Sequence, residues 1–346
     1  MTDAATLHAS LLTLDTHVDI PWPTAVDPFE PSDRLIEFPK MVRGGLGAAC
    51  IAAYVPQGPR TPESWAAAGE RALAMLDAIN AYGRTAHGIA VRITPRADDV
   101  TAAHAAGAIA IIPVVENGHA IGQDLGMLGV FRARGARYMT LTHNGHNALA
   151  DSSNPRADLG DAEALHGGLS PLGREAVQEM NRIGMLVDIS HVSKQTAIQA
   201  AMLSKVPVVA THSCIRALCD VPRNIDDQTL DALRDTGGMV NITAVPSFVK
   251  WKSKADVVTV ADYCDHIDYV VQRIGLAHCG ISSDFDGGGG FSGWRDASES
   301  GNLTAELLRR GYGPAQIAAL WGGNFLRLLR QAEDVATGAP LRETAL

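Results

Sequence analysis

The sequence predicts an α/β chain folded as one (β/α)8 TIM barrel spanning residues 1–346. Three observations carry that prediction. Eight short runs rich in Val, Ile, Leu and Ala recur along the chain, with helical stretches between them. The runs lack a clean in–out alternation, as do strands buried on both faces of a parallel sheet. The residues that close the runs are repeatedly His, Asp or Glu, and the carboxyl ends of its strands are where a barrel places its chemistry. A doubly wound open sheet is the competing architecture, because it uses the same β–α alternation.

In chain order the strands are read at 11–16, 46–55, 109–115, 136–142, 185–189, 207–211, 238–242 and 279–283. A helical pattern over 62–82 has a Ser/Thr-rich start and closes before Gly83. Another over 172–183 is bracketed by Ser170-Pro171 and Gly184. Proline suits a first helical turn, whose N–H is unpaired anyway, and glycine suits the residue just past the end. Further helices are read at 193–203, 260–274 and 303–310, and a last one at 314–331 is expected to pack on the barrel. Two turn-rich connections, 21–43 and 144–168, are long enough to form loops over a site. The glycine run 287–290 reads as a flexible loop rather than a phosphate cradle, because no Lys-Ser/Thr and no strong helix start follow it.

Composition excludes several classes. Apolar residues make up 46% of the chain, enough for a large core and too many for disorder. The net charge is −9 without any long basic run, so nucleic acid is a poor partner. The first residues lack a basic segment followed by an apolar one, and no apolar stretch reaches the ~18 residues that span a bilayer. A cytoplasmic protein with no membrane partner is therefore expected. The five cysteines form no C-x-x-C pair, which suits a reduced protein without a disulfide frame.

The strand ends carry the chemistry. His17 and Asp19 follow the first run two residues apart, so in extended chain they point the same way. Glu116 ends "AIIPVVE", His143 ends "ARYMTLTH" with His146 close behind, His191 ends "GMLVDISH" and His212 ends "VPVVATH". A lone histidine here is more often structural than a ligand, the His-x-Asp pair alone is weak, and Glu116 alone reads equally as a loop acid capping the next helix; together they put metal-ligand chemistry at successive strand ends. Asp284 and Asp286 close "GISSDFD" and compete for one role, with Asp284 nearer the strand. Imidazoles and carboxylates without a cysteine cluster suit Zn²⁺, with Mn²⁺ or Co²⁺ as substitutes. The donors exceed the needs of one tetrahedral ion, and two ions sharing a carboxylate fit better. Such a pair holds a hydroxide at neutral pH, and a free carboxylate such as Asp284 can move its proton.

The pattern resembles the renal or membrane dipeptidase family, a branch of the amidohydrolase barrels. The resemblance rests on "LDTHVD", "VVENGHA", "YMTLTHNGHNALADS", "GLSPLGREAVQEMNRIGMLVDISHVS", "VVATHSCIRALCDVPRNIDD", "GGMVNI" and "GISSDFDG", in family order from residue 14 to 287. It implies a metal-dependent TIM barrel with two zinc ions. It gives His17 and Asp19 to one ion, His191 and His212 to the other, and Glu116 as the bridge. It makes His143 the residue on the scissile carbonyl, where the residues alone leave it a plausible metal ligand. It makes Arg223, in "VPRNIDD", the holder of the substrate's terminal carboxylate, and Asp284 the proton shuttle. The implied reaction is hydrolysis of dipeptides, including those with a C-terminal D-residue, by a metal-bridging hydroxide, and family members often pair as homodimers. Mammalian relatives are secreted and lipid-anchored, whereas this sequence resembles the soluble bacterial type. The rivals are another amidohydrolase acting on a lactone, an amide or a deaminase substrate, or a non-catalytic metal-binding protein. A carbamylated-lysine bridge is disfavoured, because no Lys lies near Glu116.

Overall fold

The computed structural model describes residues 3–23 and 26–339. Eight parallel strands form its ring: β1 (Leu14–Asp19), β2 (Ala48–Tyr54), β3 (Ile109–Glu116), β4 (Tyr138–Thr140), β5 (Leu186–Asp188), β6 (Val209–Ser213), β7 (Met239–Ile242) and β8 (Cys279–Ile281). They pair in chain order from β1 to β8. The segment just after β8 closes the ring: Asp284 N–H donates to the His17 carbonyl at 3.0 Å, and Asp19 N–H donates to that of Phe285 at 2.9 Å. This order removes the open doubly wound sheet, whose strand order reverses at a switch point.

All eight expected strands are present. The first starts later than expected, at Leu14, because Ala4–Ser10 form a helix capped by the Asp3 side chain on Thr6 N–H. The shift brings His17 and Asp19 inside the strand end. A half-exposed hairpin, Thr85–Ala86 with Ile89–Ile93, was not expected; its second arm pairs with the start of β3. The single last helix expected at 314–331 is instead Pro314–Ala318, a π-turn at Ala319–Gly323, and Asn324–Thr337. The interruption falls where Gly322 presses on β1, with a Cβ there only 3.1 Å from that of Leu14. The helix over Pro171–Ile183 carries both expected brackets: Ser170 Oγ accepts from Gly173 N–H, and Gly184 sits at φ 71°.

Alternation within the strands builds two separate apolar masses. Ala48, Cys50, Ala52, Ala110, Ile112, Val114, Tyr138, Leu186, Val209 and Met239 pack together, and the helix Asn324–Thr337 adds Phe325, Leu328 and Leu329 to them. With Leu14 of β1, residues from seven strands meet there, so this is the barrel interior. The intervening residues, such as Ala49, Ile51 and Ile111, join the layer under the helices. Period-two geometry therefore sets Glu116 on the inward face, one step beyond Val114. The five cysteines are buried and unpaired. Among the described residues no helix is long and apolar enough to cross a membrane.

Candidate metal centre

Two register slips aim the first histidines. The β1–β2 pairing slips between Asp15 and Val18, and the β6–β7 pairing between Ala210 and Ser213. His17 and His212 lie within these slips. An irregularity of this kind lets a strand turn a side chain off its regular face. The Thr16 hydroxyl lies between them, 2.9 Å from the Thr211 carbonyl and 3.2 Å from that of Ile281. His191 and Asp284 take φ of 65° and 61°, and Asn117 and Asp286 also have positive φ. Such backbone is uncommon outside glycine, and it clusters at functional sites.

The expected residues converge on Glu116, which is 3% exposed. His17 Nε2 lies 3.6 Å from Glu116 Oε2. On the other oxygen, Oε1, stand His191 Nε2 at 3.1 Å, His212 Nε2 at 3.4 Å and His143 Nε2 at 3.9 Å. Asp19 Oδ1 is 3.9 Å from His17 Nε2. Donor atoms of His17, Asp19 and Asp284 fall within 4.8 Å of one another, as do those of His17, Glu116 and His212, and those of Glu116, His143 and His191. Proximity alone therefore leaves His143 in reach of a shared ion, as the residues by themselves did.

The donor set fits metal ions. His17 Nε2 and Asp19 Oδ1 are buried and have no hydrogen-bond partner among the described residues. Buried polar atoms are nearly always paired, so two orphans facing one cluster suit a cation as their partner. The tautomers agree. The Tyr138 hydroxyl donates to the Thr16 carbonyl at 2.9 Å, so at 2.7 Å from His17 Nδ1 it accepts. The Thr211 hydroxyl donates to Asp188 at 2.8 Å, so at 2.9 Å from His212 Nδ1 it also accepts. A hydroxyl has one proton to give. In both rings Nδ1 therefore keeps its hydrogen, and Nε2 is the atom left for an ion.

Electrostatics follow from burial. Burial pushes the pKa values of His191 and His212 well below the ordinary range, with Arg223 and His17 as the next causes, so both rings are neutral at pH 7. Burial also opposes charge on His17, but Glu116, with Asp19 and Asp284, outweighs it and raises His17 to about 10, so the extra proton on Nε2 is one that a bound cation would displace. Glu116 is pushed up by burial and further down by the charge of His17 and its histidine contacts, and ends well below the usual carboxylate range. Asp284 is raised to about 7, chiefly by burial.

The two competing aspartates separate cleanly. Asp286 accepts from the N–H groups of Leu35 and Ile36 at 2.9 and 3.1 Å and so ties down the 21–43 connection, whereas Asp284 joins the cluster. The glycine run is not the flexible loop expected. A Cβ on Gly287 would stand 2.2 Å from Asp19 Oδ2 and 2.4 Å from Asp284 Oδ1, and one on Gly289 only 1.8 Å from the Ser283 carbonyl. Close approach to the carboxylates, not looseness, is what those glycines provide.

A cleft of about 390 Å³ opens over the cluster, with Trp22, Tyr54, Arg71, Asn144, Asn154 and Phe248 among its walls. Both long connections thus contribute to it. Arg223 stands apart. It is buried, donates to Ser213 Oγ at 2.7 Å and to the His212 carbonyl at 2.8 Å, and lines an adjoining cavity of about 300 Å³ that shares His191. Its Nε has no partner among the described residues. Sequence reasoning missed Tyr138, Thr211, Asp188 and Arg71. Asp188 was marked by a charge inside "LVDIS"; the others carry no such signal.

A parallel barrel with histidines and carboxylates gathered at its carboxyl rim defines a metal-dependent hydrolase of the amidohydrolase type. The family model for membrane dipeptidase, peptidase family M19, matches residues 1–343. The chain belongs to that family and is a metal-dependent dipeptidase. It is 34% identical over 321 residues to dipeptidase tcpJ of Claviceps purpurea, covering 90% of this chain and 73% of that one. The probable dipeptidase PvdM from Pseudomonas aeruginosa superposes with a TM-score of 0.89 at 30% identity, covering 96% of this chain and 98% of that one. A metallo peptidase from Rhodobacter sphaeroides, liganded with a phosphinate mimic of the dipeptide L-Ala-D-Ala, gives 0.78 at 25% identity, covering 93% and 99%.

Proposed function

We propose that this dipeptidase works with two zinc ions bridged by Glu116, His17 and Asp19 serving one ion and His191 and His212 the other. The observation that carries the reading is the division of Glu116: Oε2 faces His17, while Oε1 faces His191 and His212. Bound there, zinc lowers the pKa of water and polarises a carbonyl oxygen. The chain's own residues do the rest. Arg223 holds the substrate's α-carboxylate with the N–H groups that Ser213 and His212 leave free, its planar fork suiting a carboxylate. His143, on the open side of the cluster, steadies the oxygen of the scissile carbonyl. Asp284 takes a proton from the attacking water and delivers it to the leaving amine nitrogen, as a carboxylate raised toward neutrality can. The barrel as a whole is the catalytic unit. In this reading dipeptides with an L- or a D-residue at the C-terminus are both substrates, a reading supported by the L-Ala-D-Ala mimic bound to the similar Rhodobacter sphaeroides enzyme.

The test is turnover of a dipeptide panel, with L- and D-residues at the C-terminus, by zinc-loaded protein, beside the same dipeptides amidated at the carboxylate. Cleavage of free dipeptides with poor cleavage of amides is expected. Arg223→Met should lose activity on the acids and little on the amides. Equal loss on both would remove Arg223 from carboxylate binding.

A further inference from the structure

Several arginines of this chain meet a carboxylate: Arg84 with Asp27, Arg134 with Asp77, Arg156 with Asp158, Arg273 with Asp231. Arg71 does not. It projects from the helix Pro62–Asn80 into the wall of the metal cleft and is half-buried. Its Nε–H donates to the Tyr54 carbonyl at 3.1 Å, which fixes the guanidinium against the end of β2. No carboxylate lies within ion-pair distance of it among the described residues. Its remaining donors line a substrate-sized space.

Its place in the ring gives the pairing a direction. Arg71 is anchored at β2, beside Tyr54, whose ring lies 4.8 Å from that of His143. Arg223 is anchored at β6, on His212 and Ser213. In a ring of eight strands, β2 and β6 face each other across the mouth, with Glu116 and its histidines between them. A dipeptide whose α-carboxylate sits on Arg223 must therefore extend its N-terminal residue toward β2.

We propose that Arg71 forms a second carboxylate subsite, one that selects dipeptides whose N-terminal residue is acidic. This rests on the dipeptidase reading and on Arg223 as the α-carboxylate anchor. The bland account of Arg71 is a tie between helix and strand through Tyr54; such a tie discriminates no substrates.

The experiment compares kcat/KM of zinc-loaded protein on Glu-Ala, Gln-Ala, Ala-Ala, Ala-Glu and Ala-Gln. Glu-Ala is expected to exceed its isostere Gln-Ala by about tenfold or more, mostly through KM, as a charge-assisted bidentate contact allows. Ala-Glu and Ala-Gln should differ little. In Arg71→Met the Glu-to-Gln ratio should collapse toward one, and Arg71→Lys should restore part of it. If the methionine variant does not fold, the wild-type ratio and the lysine variant still decide. A wild-type ratio of one or less, or a ratio that survives in Arg71→Met, overturns the proposal while the dipeptidase reading stands. A preference for Ala-Glu over Ala-Gln instead would overturn the direction assigned to the substrate. Failure to cleave any of the five would sink the reading beneath it as well.

Discussion

Two clusters of charge in this molecule are built on opposite plans. On the outer surface, between the helices Val260–Ile274 and Gly301–Arg309, Arg310 donates to Glu306 and Asp265 at 2.8 Å each, to Asp268, and to the Ala261 carbonyl at 2.7 Å. Tyr312 donates to the same Asp268, and Arg309 grips Glu306 with two N–H groups. Every charge there is answered from within the chain. At the barrel mouth the reverse holds: His17 Nε2, Asp19 Oδ1, His191 Nδ1 and Arg223 Nε are buried and unanswered among the described residues. Charges that hold helices together are closed on themselves; charges at the mouth are left open for something the chain does not supply. The supporting layer below the mouth is closed again, since Tyr138, Thr211 and Asp188 spend their hydrogen bonds on fixing His17 and His212.

The contrast can be broken most severely at Asp284. Asp284→Asn should lower kcat by about 10²–10⁴-fold, the usual worth of a general acid–base group, with metal content unchanged. Asparagine tolerates the positive φ of that position, so a loss of this size would report chemistry rather than backbone strain. Assay of metal content beside turnover checks it; full activity would take Asp284 out of the open set.

Gly287→Ala comes next. Its new methyl group would push on Asp19 and Asp284 together, and displacement of reacting groups by about 1 Å costs roughly 10²-fold in rate. Steady-state kinetics with a thermal melt would separate this from misfolding, because the melt should move far less than the rate.

Tyr138→Phe tests the closed layer. With the hydroxyl gone, His17 Nδ1 loses its acceptor, and metal affinity should fall about 10–100-fold in chelator competition. Nitrogen-15 NMR of the histidines should show His17 losing its single tautomer. An unchanged affinity would mean that Tyr138 only packs.

The smallest effect is expected in the self-answered cluster. Arg309 and Arg310 depress Glu306 to about 2. A depressed carboxylate lends stability above its unfolded value of about 4.3, and that stability fades as pH falls from there through about 2. Because the site is near the surface, Glu306→Gln should cost under ~1 kcal/mol at pH 7 and much less at pH 2, read by denaturant titration at both values.

How much of this was legible in the sequence follows the same division. Strand positions were readable because burial on both faces demands apolar runs, and the donors were readable because charge and imidazole at the end of such runs have few other reasons to be there. The slips at Asp15/Val18 and Ala210/Ser213 were not, since a register depends on the partner strand. Nor was the tautomer of His17, which is set by a tyrosine 121 positions away. The hairpin at Thr85–Ala86 and Ile89–Ile93 escaped because it is half-exposed and short. Gly287 was misread because a glycine required for close approach and one supplying looseness are spelled alike.

The central claim is that Glu116 joins two cations at the mouth. Loading the protein with Co²⁺, with metal analysis and electron paramagnetic resonance on the same sample, tests it directly. Two ions per chain with a spin-coupled signal, replaced by an uncoupled one or lost in Glu116→Ala, is the predicted result; a single ion per chain, or two that ignore each other in the wild type, would contradict it.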